Sequence, residues 1–131
     1  MIFGIGTDIV DTNRILQLKS LKKFAEKILS PDELDNFDKL NSQLASAYIA
    51  KQFAAKEAFS KALGNGISGN VKFSDIEIMR DLKGKPYINL QNKLKKIVTN
   101  LGITKSHVSL ADEKKYAIAF VILEKWKILF Y

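Results

Sequence analysis

Apolar residues recur along this chain at two spacings, and the switches between them mark out its elements. Ile2, Ile5, Ile9 and Val10 form an apolar run broken by Gly4 and Gly6, which predicts a strand over Ile2–Val10 whose glycines admit a close neighbour. Asp11 or Thr12 then caps a short helix running to Leu18. Ser20 caps a second, with Leu21, Phe24, Ala25 and Ile28 at helical spacing. Ser30-Pro31-Asp32-Glu33 is the clearest start signal, a capping-box serine and glutamate with proline at the first helical position. From Ser42 to Leu63 there is neither glycine nor proline, and Ala45, Ala50, Ala54, Ala55, Ala58 and Ala62 predict one long helix with close neighbours, stopped by Gly64. Phe73–Met79 and Pro86–Leu90 read as strands joined by the polar Arg80–Lys85 connection. An amphipathic helix over Gln91–Asn100, closed by Gly102, is followed by strands His107–Ala111 and Tyr116–Leu123. No repeat, low-complexity tract or linker interrupts this order. The pattern predicts an α+β single domain over residues 1–131, with a largely antiparallel sheet packed on a long central helix.

Composition narrows the chemistry. Cysteine is absent, which removes disulfides, thiolate metal sites and cysteine nucleophiles, and argues against zinc. Met1-Ile2-Phe3-Gly4 lacks the marks of a secretory signal, so a cytoplasmic protein is expected. The apolar stretch from Tyr116 to Tyr131 is interrupted by Glu124, Lys125 and Lys127, well short of the roughly 20 residues that span a bilayer, and no membrane partner is expected. The net charge of +7 favours an anionic partner: nucleic acid, a phosphorylated small molecule or an acidic protein. Arg14, Lys19, Lys22, Lys23 and Lys27 concentrate that charge on the first two helices, a face that suits an acidic protein or is simply solvated. No interleaving of aromatic and basic residues of the kind used for base stacking is present, which disfavours nucleic acid.

Three residues carry candidate chemistry. Asp8 lies in the first, otherwise buried strand, where a carboxylate must be paired with Arg14 or a lysine, hydrogen-bonded, or bound to a metal. Glu57 and Lys61 are four apart on the long helix, which on a solvated face would be a surface ion pair. Phe53 on the same stripe, with alanines on either side, implies instead that this face is pressed into the protein. Magnesium is usually held by one or two carboxylates plus substrate phosphates, and Asp8 with Glu57 fits that count. Gly64-Asn65-Gly66-Ile67 is a helix stop that could also let a pyrophosphate near backbone amides. Gly6-Thr7-Asp8 admits a short phosphate-loop reading of the actin-type ATPase kind, though the chain is too short for that fold's paired domains. His107 is the one histidine, sharing a strand face with Ser109, and reads as exposed. No elbow glycines flank Ser109, so a hydrolase triad is set aside.

These segments resemble the holo-acyl-carrier-protein synthases, the small group of 4′-phosphopantetheinyl transferases. Gly4-Ile5-Gly6-Thr7-Asp8-Ile9-Val10 is similar to the family's first motif, and Phe53-Ala54-Ala55-Lys56-Glu57-Ala58-Phe59-Ser60-Lys61-Ala62 to its signature helix. Phe73–Ile78, Gly84-Lys85-Pro86 and His107-Val108-Ser109-Leu110 follow in the family's order, so the resemblance runs from Ile2 to about Glu124. It implies the 4′-phosphopantetheinyl transferase fold and transfer of the phosphopantetheine arm of coenzyme A to a serine of apo acyl carrier protein, releasing adenosine 3′,5′-bisphosphate, with Mg2+ as cofactor.

Carried over by position, the resemblance makes Asp8 and Glu57 metal ligands and, with Lys61, the catalytic set. Lys61 would contact the pyrophosphate and assist the leaving group, His107 would lie near the nucleotide's phosphates, and Gly64, Asn65, Gly66 and Ile67 would line the coenzyme A site. Arg14, Lys22 and Lys23 would receive the acidic carrier protein, and the family implies a homotrimer with sites between protomers. Glu57 or a metal-bound water could take the serine proton. The chain departs from the family at Gln52, where arginine is common and where Lys51 or Lys56 would have to replace a phosphate contact. It also departs at Ala111-Asp112, in place of a frequent serine-histidine pair, and in an apolar extension over residues 125–131.

Overall fold

Side-chain caps set the helix starts in the computed structural model of the chain, which describes residues 1–64 and 71–127. Strand β1 (Ile2–Asp11) runs directly into α1 (Thr12–Leu16), capped by Asp11, which accepts from the Asn13 amide at 2.9 Å. This helix stops two residues earlier than its apolar pattern predicts, the Leu18 amide turning to the Ile15 carbonyl three residues back instead of continuing the helical ladder. Ser20 caps α2 (Leu21–Ile28), and Ser30 and Glu33 form the expected capping box at α3 (Pro31–Asp38). Asn41 caps the long helix α4 (Ser42–Leu63) through the Leu44 amide. After α4 come β2 (Ile76–Arg80), β3 (Pro86–Leu90), α5 (Asn92–Asn100), β4 (Ile103–Asp112) and β5 (Tyr116–Lys125).

All strand pairs are antiparallel, but hydrogen bonding divides them between two sheets: β1-β5-β4, and the β2-β3 hairpin. β4 begins at Ile103 and β5 continues to Lys125, beyond the expected His107–Ala111 and Tyr116–Leu123, because β5 pairs along both β1 and β4. Helix α4 crosses the inner face of β1 and β5, burying Ala54, Ala55, Ala58 and Ala62 against Ala117, Ala119, Val121 and Leu123. The opposite face of the sheet leaves Ile5, Ile9, Tyr116, Ile118 and Phe120 between 41% and 59% exposed.

The segment Phe73–Asp75, expected as strand, is a 3-10 turn. Its backbone serves a buried lysine rather than a strand ladder: Lys56 Nζ donates to the Phe73 carbonyl at 2.8 Å, to the Ile76 carbonyl at 2.5 Å and to Glu33 Oε1 at 2.7 Å. Glu33 also accepts from the Ser30 and Ile78 amides and from the Gln52 amide group, which donates in addition to the Ile78 carbonyl at 2.9 Å. Ser30 Oγ donates to Glu77 at 2.6 Å, and Asn92 donates to Asp75 at 2.9 Å. Glu33 and Lys56 are wholly buried, so every polar atom they carry has to be met by a partner. Burial pushes the Lys56 ammonium below its usual range, against the upward pull of the Glu33 carboxylate.

Candidate active site

Gly4, Gly6, Asp8 and Val10 share the inner face of β1, because strand side chains alternate. A Cβ on Gly4 would stand 1.9 Å from the Ala62 carbonyl oxygen, and one on Gly6 would stand 1.9 Å from the Ala58 oxygen and 2.7 Å from the Ala62 nitrogen. The strand and α4 therefore touch backbone to backbone at the two glycines. The next inward position, Asp8, then falls beside the helical face that carries Glu57 and Lys61. Lys61 Nζ donates to Asp8 Oδ1 at 2.9 Å and to the Thr7 carbonyl at 3.0 Å. Asp8 thus takes the lysine partner that the sequence left open, and Lys61 pairs with it rather than with Glu57 one turn before it.

Asp8 and Glu57 line one cavity of about 350 Å³ together with Arg14, Leu18, Phe24 and Phe53. Phe53 stands edge-on between Phe24 and Phe73, with ring centroids 5.3 and 5.9 Å away, and forms its apolar wall. The Glu57 carboxyl is raised above the usual range, first by burial and then by the Asp8 carboxylate, with Lys61 pulling the other way. Two carboxylates that repel each other across a half-buried cavity fit a hard divalent cation, which would offset both the repulsion and the desolvation. Among the described residues no cluster of three or more carboxylate, histidine or cysteine groups is present, so such a cation would take its other oxygens from water or substrate.

The remaining expected site residues divide. Arg14 reaches the cavity, but Lys22 is already paired with Asp38 and lies 5.7 Å from the Phe37 ring; Lys23 is exposed on α2. Gly64 ends α4 with φ 67°, and Asn65, Gly66 and Ile67 lie outside the described residues, as does the extension from residue 128 onward. His107 pairs in register with Ile122, which pairs with Ile5, so it stands on the outer face of the sheet, opposite to Asp8. Its Nε2 is 2.6 Å from Glu124 Oε2, and that hydrogen bond holds the exposed Glu124 carboxyl below the usual range. The phosphate-loop reading of Thr7 fails on geometry, since its side chain is on that outer face and its hydroxyl donates to the Ala119 carbonyl at 3.0 Å.

Gln52 also points away from the cavity. It is 4% exposed and spent on Glu33 and Ile78; Lys56 is committed to the same network and Lys51 lies 3.7 Å from Asp112. Gln52 therefore belongs to the interior of this chain, and Lys51 and Lys56 are each paired within it rather than directed to the cavity. This network is hidden in the sequence because Glu33 has a sufficient local role in the capping box; its one signal is Lys56 in the middle of an alanine-lined helix.

The family model of the 4′-phosphopantetheinyl transferase superfamily matches residues 4–121. A holo-[acyl-carrier-protein] synthase of Photobacterium profundum is 46% identical over 125 residues, covering 94% of this chain and 98% of that protein. The crystal structure of the Neisseria meningitidis holo-[acyl-carrier-protein] synthase superposes with a TM-score of 0.88 at 45% identity, covering 95% of this chain and all 100% of that one. That of Bacillus anthracis, in complex with coenzyme A (3′,5′-ADP), does so with a TM-score of 0.80 at 39% identity, covering 96% and 99%. Fold, inward-facing Asp8, signature helix and end-to-end similarity agree: the chain belongs to the 4′-phosphopantetheinyl transferase superfamily, among its holo-[acyl-carrier-protein] synthases.

Proposed function

We propose that this protein transfers the 4′-phosphopantetheine arm of coenzyme A to a serine of apo acyl carrier protein, releasing adenosine 3′,5′-bisphosphate, in support of fatty acid biosynthesis in the cytoplasm. The observation that carries this reading is that Asp8 and Glu57 line one cavity, with Lys61 bonded to Asp8, in a chain similar end to end to holo-[acyl-carrier-protein] synthases. The serine oxygen forms a bond to the phosphorus that bears pantetheine, while the bond from that phosphorus to the oxygen of the adenosine 5′-phosphate breaks. Catalysis of such a step is chiefly positioning and neutralisation of charge on phosphate oxygens. Two Lys61 donors are held by Asp8 and the Thr7 carbonyl; the third, on a side chain 55% exposed, is directed to a phosphate oxygen and to the charge that develops on the leaving group. Glu57 is a carboxylate lining the same cavity, placed to accept the serine proton. Asp8 and Glu57 are the residues that would hold Mg2+, which when bound supplies Lewis-acid neutralisation of the phosphate oxygens.

Arg14 beside the apolar Leu18, Phe24 and Phe53 suits a carrier protein presenting both carboxylates and apolar side chains, with Lys23 adding to the field. Gly64, with Asn65, Gly66 and Ile67, is the reading's contact for coenzyme A. The five exposed apolar side chains of the outer sheet face favour self-association, and in the homotrimer that the family resemblance implies His107 on that same face would serve the cavity of a neighbouring protomer. That arrangement reconciles a phosphate role for His107 with its position opposite Asp8. Incubation of the protein with coenzyme A, Mg2+ and apo acyl carrier protein should add one phosphopantetheine to the carrier by mass spectrometry. Chelation of Mg2+ or the Asp8→Ala change should slow this by roughly a hundredfold or more. An unmodified carrier, where a control synthase modifies it, overturns the reading.

A further inference from the structure

The wholly buried Lys56 touches no part of the cavity, yet it adjoins Glu57 in α4, about 100° around the helix. We propose that Lys56 is a positioning residue for Glu57: its anchorage to Glu33, Phe73 and Ile76 sets the roll of α4, and with it the direction from which Glu57 meets Asp8. On its sheet side α4 presents Ala58 and Ala62 to the bare backbone at Gly4 and Gly6. Such a contact brings strand and helix close, but alanine on glycine has few side-chain ridges to resist rotation about the helix axis. Beside the buried Ile49, Phe59 and Leu63 of the same helix, Lys56 adds a restraint that is directional. Its three donors go to three separate elements, the α3 helix, the 3-10 turn and β2, so any roll lengthens at least one bond in a buried site. Glu33 is fixed in turn by the Ser30 and Ile78 amides and by Gln52, which keeps the acceptor from following a displaced lysine. A buried ion pair is a weak source of stability compared with apolar side chains of the same volume, so what this one contributes is direction.

The inference rests on the reading of Glu57 as a metal ligand, and its test separates the two. Mn2+ binding is followed by electron paramagnetic resonance for the wild type, Lys56→Met, Glu57→Gln and the double variant, below the thermal midpoint of all four. Lys56→Met should weaken Mn2+ about tenfold, as loss of a ligand's supporting contact does. The double variant should bind no worse than Glu57→Gln alone, because Lys56 acts through Glu57. Equal losses from Lys56→Met in both backgrounds, or no loss at all, overturn the positioning role. Wild-type Mn2+ affinity in Glu57→Gln overturns the metal reading itself. If Lys56→Met does not fold, Glu33→Gln weakens the same anchor without changing its shape and enters the same cycle with the same outcomes.

Discussion

Glu57 is held in a state that water alone would not favour: half-buried, beside a second carboxylate, with Lys61 turned toward Asp8 instead. Its carboxyl is raised, so the folded state binds the proton more tightly than the unfolded chain does. The linked stability is full below the ordinary carboxylate range and is lost as pH rises through the folded value. On the proposed function, a cation held by Asp8 and Glu57 would reverse that loss, because it would need both groups ionised. Thermal unfolding should therefore show Mg2+ raising the midpoint by a few degrees, about the size expected of a ligand well above its Kd, at pH 8. The shift should vanish at pH 4 and in Asp8→Asn at either pH. A shift that survives the Asp8 change would place the cation elsewhere.

The contact between β1 and α4 is what turns separate residues into a site. At Gly4 and Gly6 the helix carbonyls occupy the space of a side chain, and the next inward residue, Asp8, inherits its distance from Lys61 from that approach. Gly6→Ala should push helix and strand apart, at a cost of about 1–3 kcal/mol in urea unfolding, as overpacking does. Activity should fall further than stability, since the Asp8–Lys61 contact opens. A Gly6→Ala protein with unchanged activity would show that the close approach is dispensable. The strand pattern and its glycines are legible in the sequence, because alternation and missing side chains are local properties of the chain. The 3-10 turn at Phe73–Asp75 is not, because it answers to a lysine far away in sequence.

For the whole molecule, the outer sheet face is the unfinished surface. Ile5, Ile9, Tyr116, Ile118 and Phe120 form a two-stranded apolar patch next to β4, which carries His107. Such continuous apolar exposure is uncommon on chains that remain single. Light scattering after size exclusion should find an assembly for the wild type, and the 14.8 kDa single chain for Phe120→Glu. Coenzyme A-dependent modification of the carrier should fall at least tenfold with assembly, although Asp8, Glu57 and Lys61 are untouched, a loss on the scale of one misplaced phosphate contact. A monomeric Phe120→Glu protein with full activity would remove His107 and the neighbouring chain from the site.

The sequence by itself determined the α+β class, the long α4 helix with its stop at Gly64, and the Ser20 and Ser30 caps. Each of these depends on spacing along a strand or helix or on cap chemistry. Tertiary structure alone decided that Lys61 pairs with Asp8, that Gln52 and Lys56 turn inward to Glu33, and that His107 faces away from the cavity. Those outcomes depend on which distant groups meet in a dry interior and on which face of a sheet a register assigns, and no local pattern encodes either.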